Sequence, residues 1–79
     1  MIKLIEKDIE GIAIVCIGES SEWIEQILTF GEYGGFSRKK YAMDTARVRI
    51  EDMKEELQNV EIVTRTVTVK IRMMPAREA

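Results

Sequence analysis

The run GIAIVCIG, residues 11–18, is apolar without interruption, bounded by glycines and rich in β-branched side chains. That is the pattern of a strand covered on both faces. Alternation sets Ile12, Ile14 and Cys16 on one face and Ala13, Val15 and Ile17 on the other. A layer of helices covers only one of these faces, so the second needs another layer, and in so short a chain a second copy is its natural source. Ahead of this run, IKLIEK reads as a partner strand joined through a turn near Asp8 to Gly11, giving an N-terminal hairpin. In SSEWIEQILTFG the apolar positions Trp23, Ile24, Ile27 and Leu28 recur at helical spacing. Ser20 or Ser21 serves as N-cap, Glu22 and Glu25 favour the positive dipole end, and Gly31 is the stop.

Near the C-terminus Val67, Val69, Ile71 and Met73 alternate with Thr66, Thr68, Lys70 and Arg72, the signature of a half-buried strand. VEIVTRTVTVKIRMM in full would exceed about 40 Å, so the strand either bends near Val63 to Thr66 or projects toward a second chain. Residues 37–58 admit two readings. As one helix, Ala42, Met43, Ala46, Ile50, Met53 and Leu57 form a stripe, with Ser37 as cap and Phe36 and Tyr41 as staple. The rival reading makes ARVRI a strand followed by a short helix. The single helix is preferred, and the expected class is α+β. A small, largely antiparallel sheet, an N-terminal hairpin plus the long C-terminal strand, carries two helices on one face in the order ββααβ. The alternative is a ferredoxin-like βαββαβ order. Residues 1–74 are expected to form a single domain, and Pro75 with the polar AREA marks 75–79 as a flexible tail.

Composition narrows the class. A 79-residue chain buries only about 60–65% of its unfolded surface and usually needs a disulfide, a metal or oligomerisation for support. Cys16 is the single cysteine and histidine is absent, which leaves self-association and points to a reducing cytoplasm. No apolar run approaches a membrane span, and the N-terminus has charges where a signal peptide has its apolar core, so the chain reads as soluble and unprocessed. The net charge of −2 hides segregated blocks. Residues 1–32 are acidic, 33–49 carry five basic residues against Asp44, 50–62 are acidic again, and 63–79 are basic.

Without histidine the commonest neutral-pH base is missing. Glu51, Asp52, Glu55 and Glu56 read as a solvated helix face, Cys16 as a core thiol and Ser20 and Ser21 as caps, so neither catalysis nor a cofactor nor a metal is expected. The densest candidate site is FGEYGGFSRKKY, residues 30–41. Gly34 and Gly35 match neither G-x-G-x-x-G nor G-x-x-x-x-G-K-[ST]. Arg38, Lys39 and Lys40 at a helix start nonetheless favour an anion, and Tyr33, Phe36 and Tyr41 offer stacking rings. Arg47 and Arg49 extend this partner- or anion-binding segment. The competing reading makes it a hinge whose cations meet the acidic first quarter. A secondary contact face is Thr66, Thr68, Lys70 and Arg72, suited to strand addition. The function these features favour is a small non-catalytic protein-binding module, homodimeric, acting as a regulator or inhibitor by covering or bridging a partner's surface. Inhibitors carried by mobile elements are of this kind. The alternative is a nucleic-acid-binding accessory protein using residues 33–49.

Overall fold

Among the described residues, three antiparallel strands and one helix make up the fold. The structure, a computed structural model, describes residues 5–31 and 35–73. Strand β1 spans Ile5–Ile17, β2 Glu22–Thr29, helix α1 Lys39–Glu56 and β3 Glu61–Met73. The sheet order is β2-β1-β3. The expected ββααβ arrangement with two helices is therefore not formed, nor is the ferredoxin-like alternative. The expected tail, 75–79, lies outside the described residues.

The segment read as a first helix is strand β2. Its helical spacing has a physical source in a β-bulge. Ile27 pairs with Ala13 and Ile24 with Val15, while the register shifts between Ile14 and Val15. One extra residue, Glu25, lies in β2 between the positions opposite them. Ile24 and Ile27 thus share a strand face although they are three apart, as in a helix. The serines expected as N-caps belong to the tight turn before β2, where the Gly18 N–H donates to the Ser21 carbonyl at 2.8 Å.

The expected N-terminal hairpin is also absent from residues 5–17, which run as one strand without a turn near Asp8. Glu6, Asp8 and Glu10 alternate with Ile5, Lys7 and Ile9, and β3 pairs with the whole length, from Ile5 opposite Met73 to Ile17 opposite Glu61. β3 needs no bend at 63–66, because β1 matches it residue for residue. Cross-strand ion pairs close one side of the far end. Arg72 Nε lies 3.2 Å from Glu6 Oε1, and Lys70 Nζ lies 3.6 Å from Asp8 Oδ1.

Helix α1 is the single helix preferred for residues 37–58, with its start corrected. Arg38, in extended conformation, occupies the N-cap without a side-chain bond, and Ser37 does not cap. The Leu57 N–H donates to Met53 O at 2.8 Å, and Asn59 at φ 62° reverses the chain toward β3, a left-handed conformation that asparagine tolerates. The helix buries Ala42 and Ala46 against Ile12, Ile14 and Leu28, with Phe30, Phe36, Ile50, Met53 and Ile62 around them. The two alanines present no side chain beyond Cβ, so the helix can approach the central strand closely. An 18-residue helix is about 27 Å long and lies on one face alone.

Candidate functional site

Cα partners in a sheet share a face, so register sorts every side chain. The face under α1 carries Ile12, Ile14 and Cys16 of β1, with Thr66, Thr64 and Ile62 opposite them on β3. Val63, Val67, Val69 and Ile71 of β3 and Ile24 and Ile27 of β2 share the opposite face with Ile9, Ala13 and Val15. The alternation on β3 is thus inverted from the expectation: the threonines look toward the helix layer, and the valines toward the side that carries no helix. On that side Ile5 is 51% exposed, Ile24 56% and Ile27 39%.

Val15 and Ala13 are nevertheless buried on this helix-free side. Arg65 stands on β3 opposite Ala13, and Glu22 on β2 opposite Ile17. Their Nη1 and Oε1 atoms meet at 3.0 Å, and because β1 lies between them the pair must pass over β1. Its aliphatic stem shields the small side chains beneath while the charged ends stay wet. Among the described residues the charges on this face are four: Lys7, Arg65, Glu22 and Glu61, the last two both opposite Ile17.

The segment singled out in the sequence is pulled apart by the fold. Its base is closed by backbone bonds, from the Phe36 N–H to Thr29 O at 2.5 Å and from the Gly31 N–H to Phe36 O at 2.7 Å. Gly31 has φ 112°, a conformation that favours glycine, and a Cβ on Gly35 would run into Thr29 O. These bonds tie Phe36, ahead of α1, to the end of β2. Tyr33 and Gly34 lie outside the described residues. Arg38, Lys39 and Lys40 are exposed at the helix start, and the Phe36 and Tyr41 rings pack at a tilt of 43° with centroids 5.3 Å apart. Arg49 Nη1 donates to Gln26 Oε1 at 2.8 Å, which ties the helix to β2. Arg47, two residues away and so on another side of the helix, lies 3.9 Å from Asp44. Among the described residues the expected ion pairing of Arg38, Lys39 and Lys40 with the acidic first quarter does not form. Glu6, Asp8 and Glu22 are taken by Arg72, Lys70 and Arg65 instead.

Of the secondary strand face, Lys70 and Arg72 spend their charge within the chain, and Thr66 sits beside Ile12 under the helix side. β3 is an edge strand. A groove of about 300 Å³ runs between α1 and β3, with Ile12, Met43 and Ile50 as its apolar lining and Arg47, Glu51, Lys54 and Thr64 as its polar one. Thr64 is too short to fill the gap beneath the helix. Among the described residues no group of three or more Cys, Asp or Glu converges to hold a metal, and no helix is long and apolar enough to cross a membrane.

No family model, curated protein or solved structure matches this chain. Chemistry must therefore be read from the groups themselves. Burial raises the Cys16 thiol pKa, and the carboxylate of Glu25 adds to the rise. Trp23 Nε1 donates to Glu25 Oε2 at 3.0 Å and holds that carboxylate in place. A neutral, enclosed thiol is a poor nucleophile. In native buffer a thiol reagent is expected to label Cys16 only as fast as the protein opens, and at once in denaturant. Immediate native labelling would contradict this. Because the unfolded chain gives up the thiol proton at lower pH than the folded one, stability falls as pH rises through the ordinary thiol range. A Cys16→Ala variant should lose that part of the slope.

Proposed function

We propose that this chain is a small, non-catalytic protein-binding module whose contact surface is the helix-free face of its sheet. The observation that carries the reading is the exposure of Ile24 and Ile27 on the same sheet face as Val63, Val67 and Val69, while α1 covers only the other side. Large exposed aliphatic side chains gathered on one uncovered sheet face, on either side of the Arg65–Glu22 bridge, suit an interaction site. A module of this kind acts as a regulator or inhibitor by covering or bridging its partner, and the reduced, buried Cys16 suits a cytoplasmic setting. The test compares wild type with an Ile24→Asp/Ile27→Asp variant as bait. Proteins captured by wild type should be lost by the variant while circular dichroism is retained. Equal capture by a folded variant would overturn the reading.

A second reading, a nucleic-acid-binding accessory protein, is favoured by one observation: Arg38, Lys39 and Lys40 stand exposed beside Tyr41, itself 62% exposed and packed at a tilt against Phe36. Reversing all three to Glu should leave the fold intact and favour α1 slightly, since cations oppose the helix dipole at this end. It should abolish binding of a single-stranded oligonucleotide, and wild-type affinity should fall steeply with salt. If wild type does not bind the oligonucleotide, or binds without salt dependence, this second reading falls.

A further inference from the structure

We propose that the groove between α1 and β3 takes an extended, acidic segment of another protein, which pairs with the outer edge of β3 as a fourth strand. This site lies across the sheet from the helix-free face and is independent of it. The position of α1 creates it. Ala42 and Ala46 rest on Ile12, Ile14 and Leu28, and Arg49 bonds to Gln26, so the helix sits over β1 and β2. Beyond Ile62, β3 is left uncovered: Thr64, Thr66 and Thr68 share the helix-side face with Ile12 and Ile14 and are exposed. Among the described residues no strand lies along the outer side of β3 either. The outward N–H and C=O groups of this 13-residue strand are a template for one more strand. Such a strand would lie about 4.8 Å beyond β3 and turn alternate side chains toward the groove. Backbone bonds then give affinity, and the groove gives selection.

The lining sets the chemistry of that strand. Met43, Arg47, Ile50, Glu51 and Lys54 recur along one side of α1 and bound a space of about 300 Å³ with Ile12 and Thr64. Ile50 and Ile12 make its middle apolar, which calls for an aliphatic side chain. Arg47 and Lys54 stand on either side of Ile50, about 10 Å apart along the helix axis. Two groove-facing residues four positions apart on an extended strand are about 13 Å apart, so carboxylates there reach both cations. Neither cation is firmly held within the chain. Lys54 forms no ion pair among the described residues, and Arg47 meets only Asp44, at 3.9 Å and with both side chains more than half exposed, a contact worth little. Glu51 lies between the two cations and disfavours a carboxylate at the middle position. The pattern selected is therefore acidic, aliphatic, acidic at alternate positions. A second copy cannot supply it through β3, whose helix-side residues, Ile62, Thr64, Thr66, Thr68, Lys70 and Arg72, include no carboxylate.

The probe is a fluorescent seven-residue peptide with glutamate at its second and sixth positions, leucine at the fourth and threonine elsewhere, read by anisotropy. Wild type should bind it, and amide exchange along β3 should slow on binding. An Arg47→Glu/Lys54→Glu variant should bind at least tenfold more weakly, since two attractions become repulsions, and should prefer a peptide with lysine in place of both glutamates. Both positions are exposed, and circular dichroism checks that the fold is kept. N-methylation of the peptide at alternate positions should abolish binding in one phase and spare it in the other, because only one edge of an added strand meets β3. This pair of peptides needs wild type alone, so the inference stays testable if the double variant misfolds. The Ile24→Asp/Ile27→Asp variant should bind the peptide as wild type does, which separates this site from the helix-free face. Failure of wild type to bind at millimolar peptide overturns the inference. So does equal binding by the folded double variant, binding that survives N-methylation in both phases, or loss of binding in the Ile24→Asp/Ile27→Asp variant. A dimer with β3 amides already protected, which the peptide does not dissociate, would assign the edge to a second copy and overturn it as well.

Discussion

Ile14→Ala is expected to cost about 2–5 kcal/mol of folding stability. Ile14 is fully enclosed in the central strand under α1. Its two cross-strand neighbours are Gln26 on β2 and Thr64 on β3, so on its own row it is the sole apolar side chain of size. Above it the helix presents Ala42 and Ala46, which have no side chain long enough to drop into a void. The cavity therefore stays open, and the cost falls toward the upper part of the range for large-to-small changes. A domain of 79 residues has about 4–12 kcal/mol in total, so much of the variant should be unfolded under mild conditions. Urea titration checks this: the midpoint should drop while the slope stays constant. A loss below about 1 kcal/mol would mean that the helix does not seat on this row.

Gly11→Val is expected to destabilise the protein by about 1–3 kcal/mol, as overpacking does. General preference predicts the opposite sign. Gly11 lies in mid-strand, where glycine is worth roughly 0.5–1 kcal/mol less than a residue with a side chain and valine is among the best strand formers. The local geometry overrides that preference. A Cβ at this position would lie 2.8 Å from Leu28 O and 3.1 Å from Thr29 Cα. Both are backbone atoms of a paired strand, which cannot rotate away as a side-chain tip can. The strands must separate just where the pairing of β1 with β2 ends, and the Phe30 N–H bond to Glu10 O is the nearest one at risk. Thermal unfolding of the valine variant should therefore begin at lower temperature than wild type. A raised midpoint would show that the strand edge yields and that propensity governs.

How legible the fold was depended on the element. The apolar run at residues 12–17 could be read as a strand because it repeats nothing else, and the alternation from Thr66 to Arg72 could be read because an unbroken period of two has no helical counterpart. The helix of residues 39–56 was legible as a stripe, though its cap was not, since Ser37 and Arg38 are both compatible with a helix start. Residues 22–29 were misread because a bulge shifts strand phase by one, and the resulting spacing of Ile24 and Ile27 imitates a helix turn. The site suffered most. Arg38 to Lys40, Arg47 and Arg49 are neighbours in sequence, but a helix turns about 100° per residue, and so Arg49 faces Gln26 while Arg47 does not.

Sequence by itself determined what is buried and what chemistry is at hand: an apolar central strand, a long alternating strand, a helix of small and medium apolar residues, one cysteine and no histidine. These follow from side-chain identity and local period, which need no partner to be expressed. Only the tertiary structure decided which face of the sheet the helix takes. Alternation makes two faces equivalent in pattern, and the choice depends on what packs above them. Ala42 and Ala46 settle over Ile12, Ile14 and Leu28, which leaves Ile24, Ile27 and the valines of β3 on the open side. It also decided that Arg65 meets Glu22 across 43 positions, a pairing set by strand order and register, neither of which is encoded within any one segment.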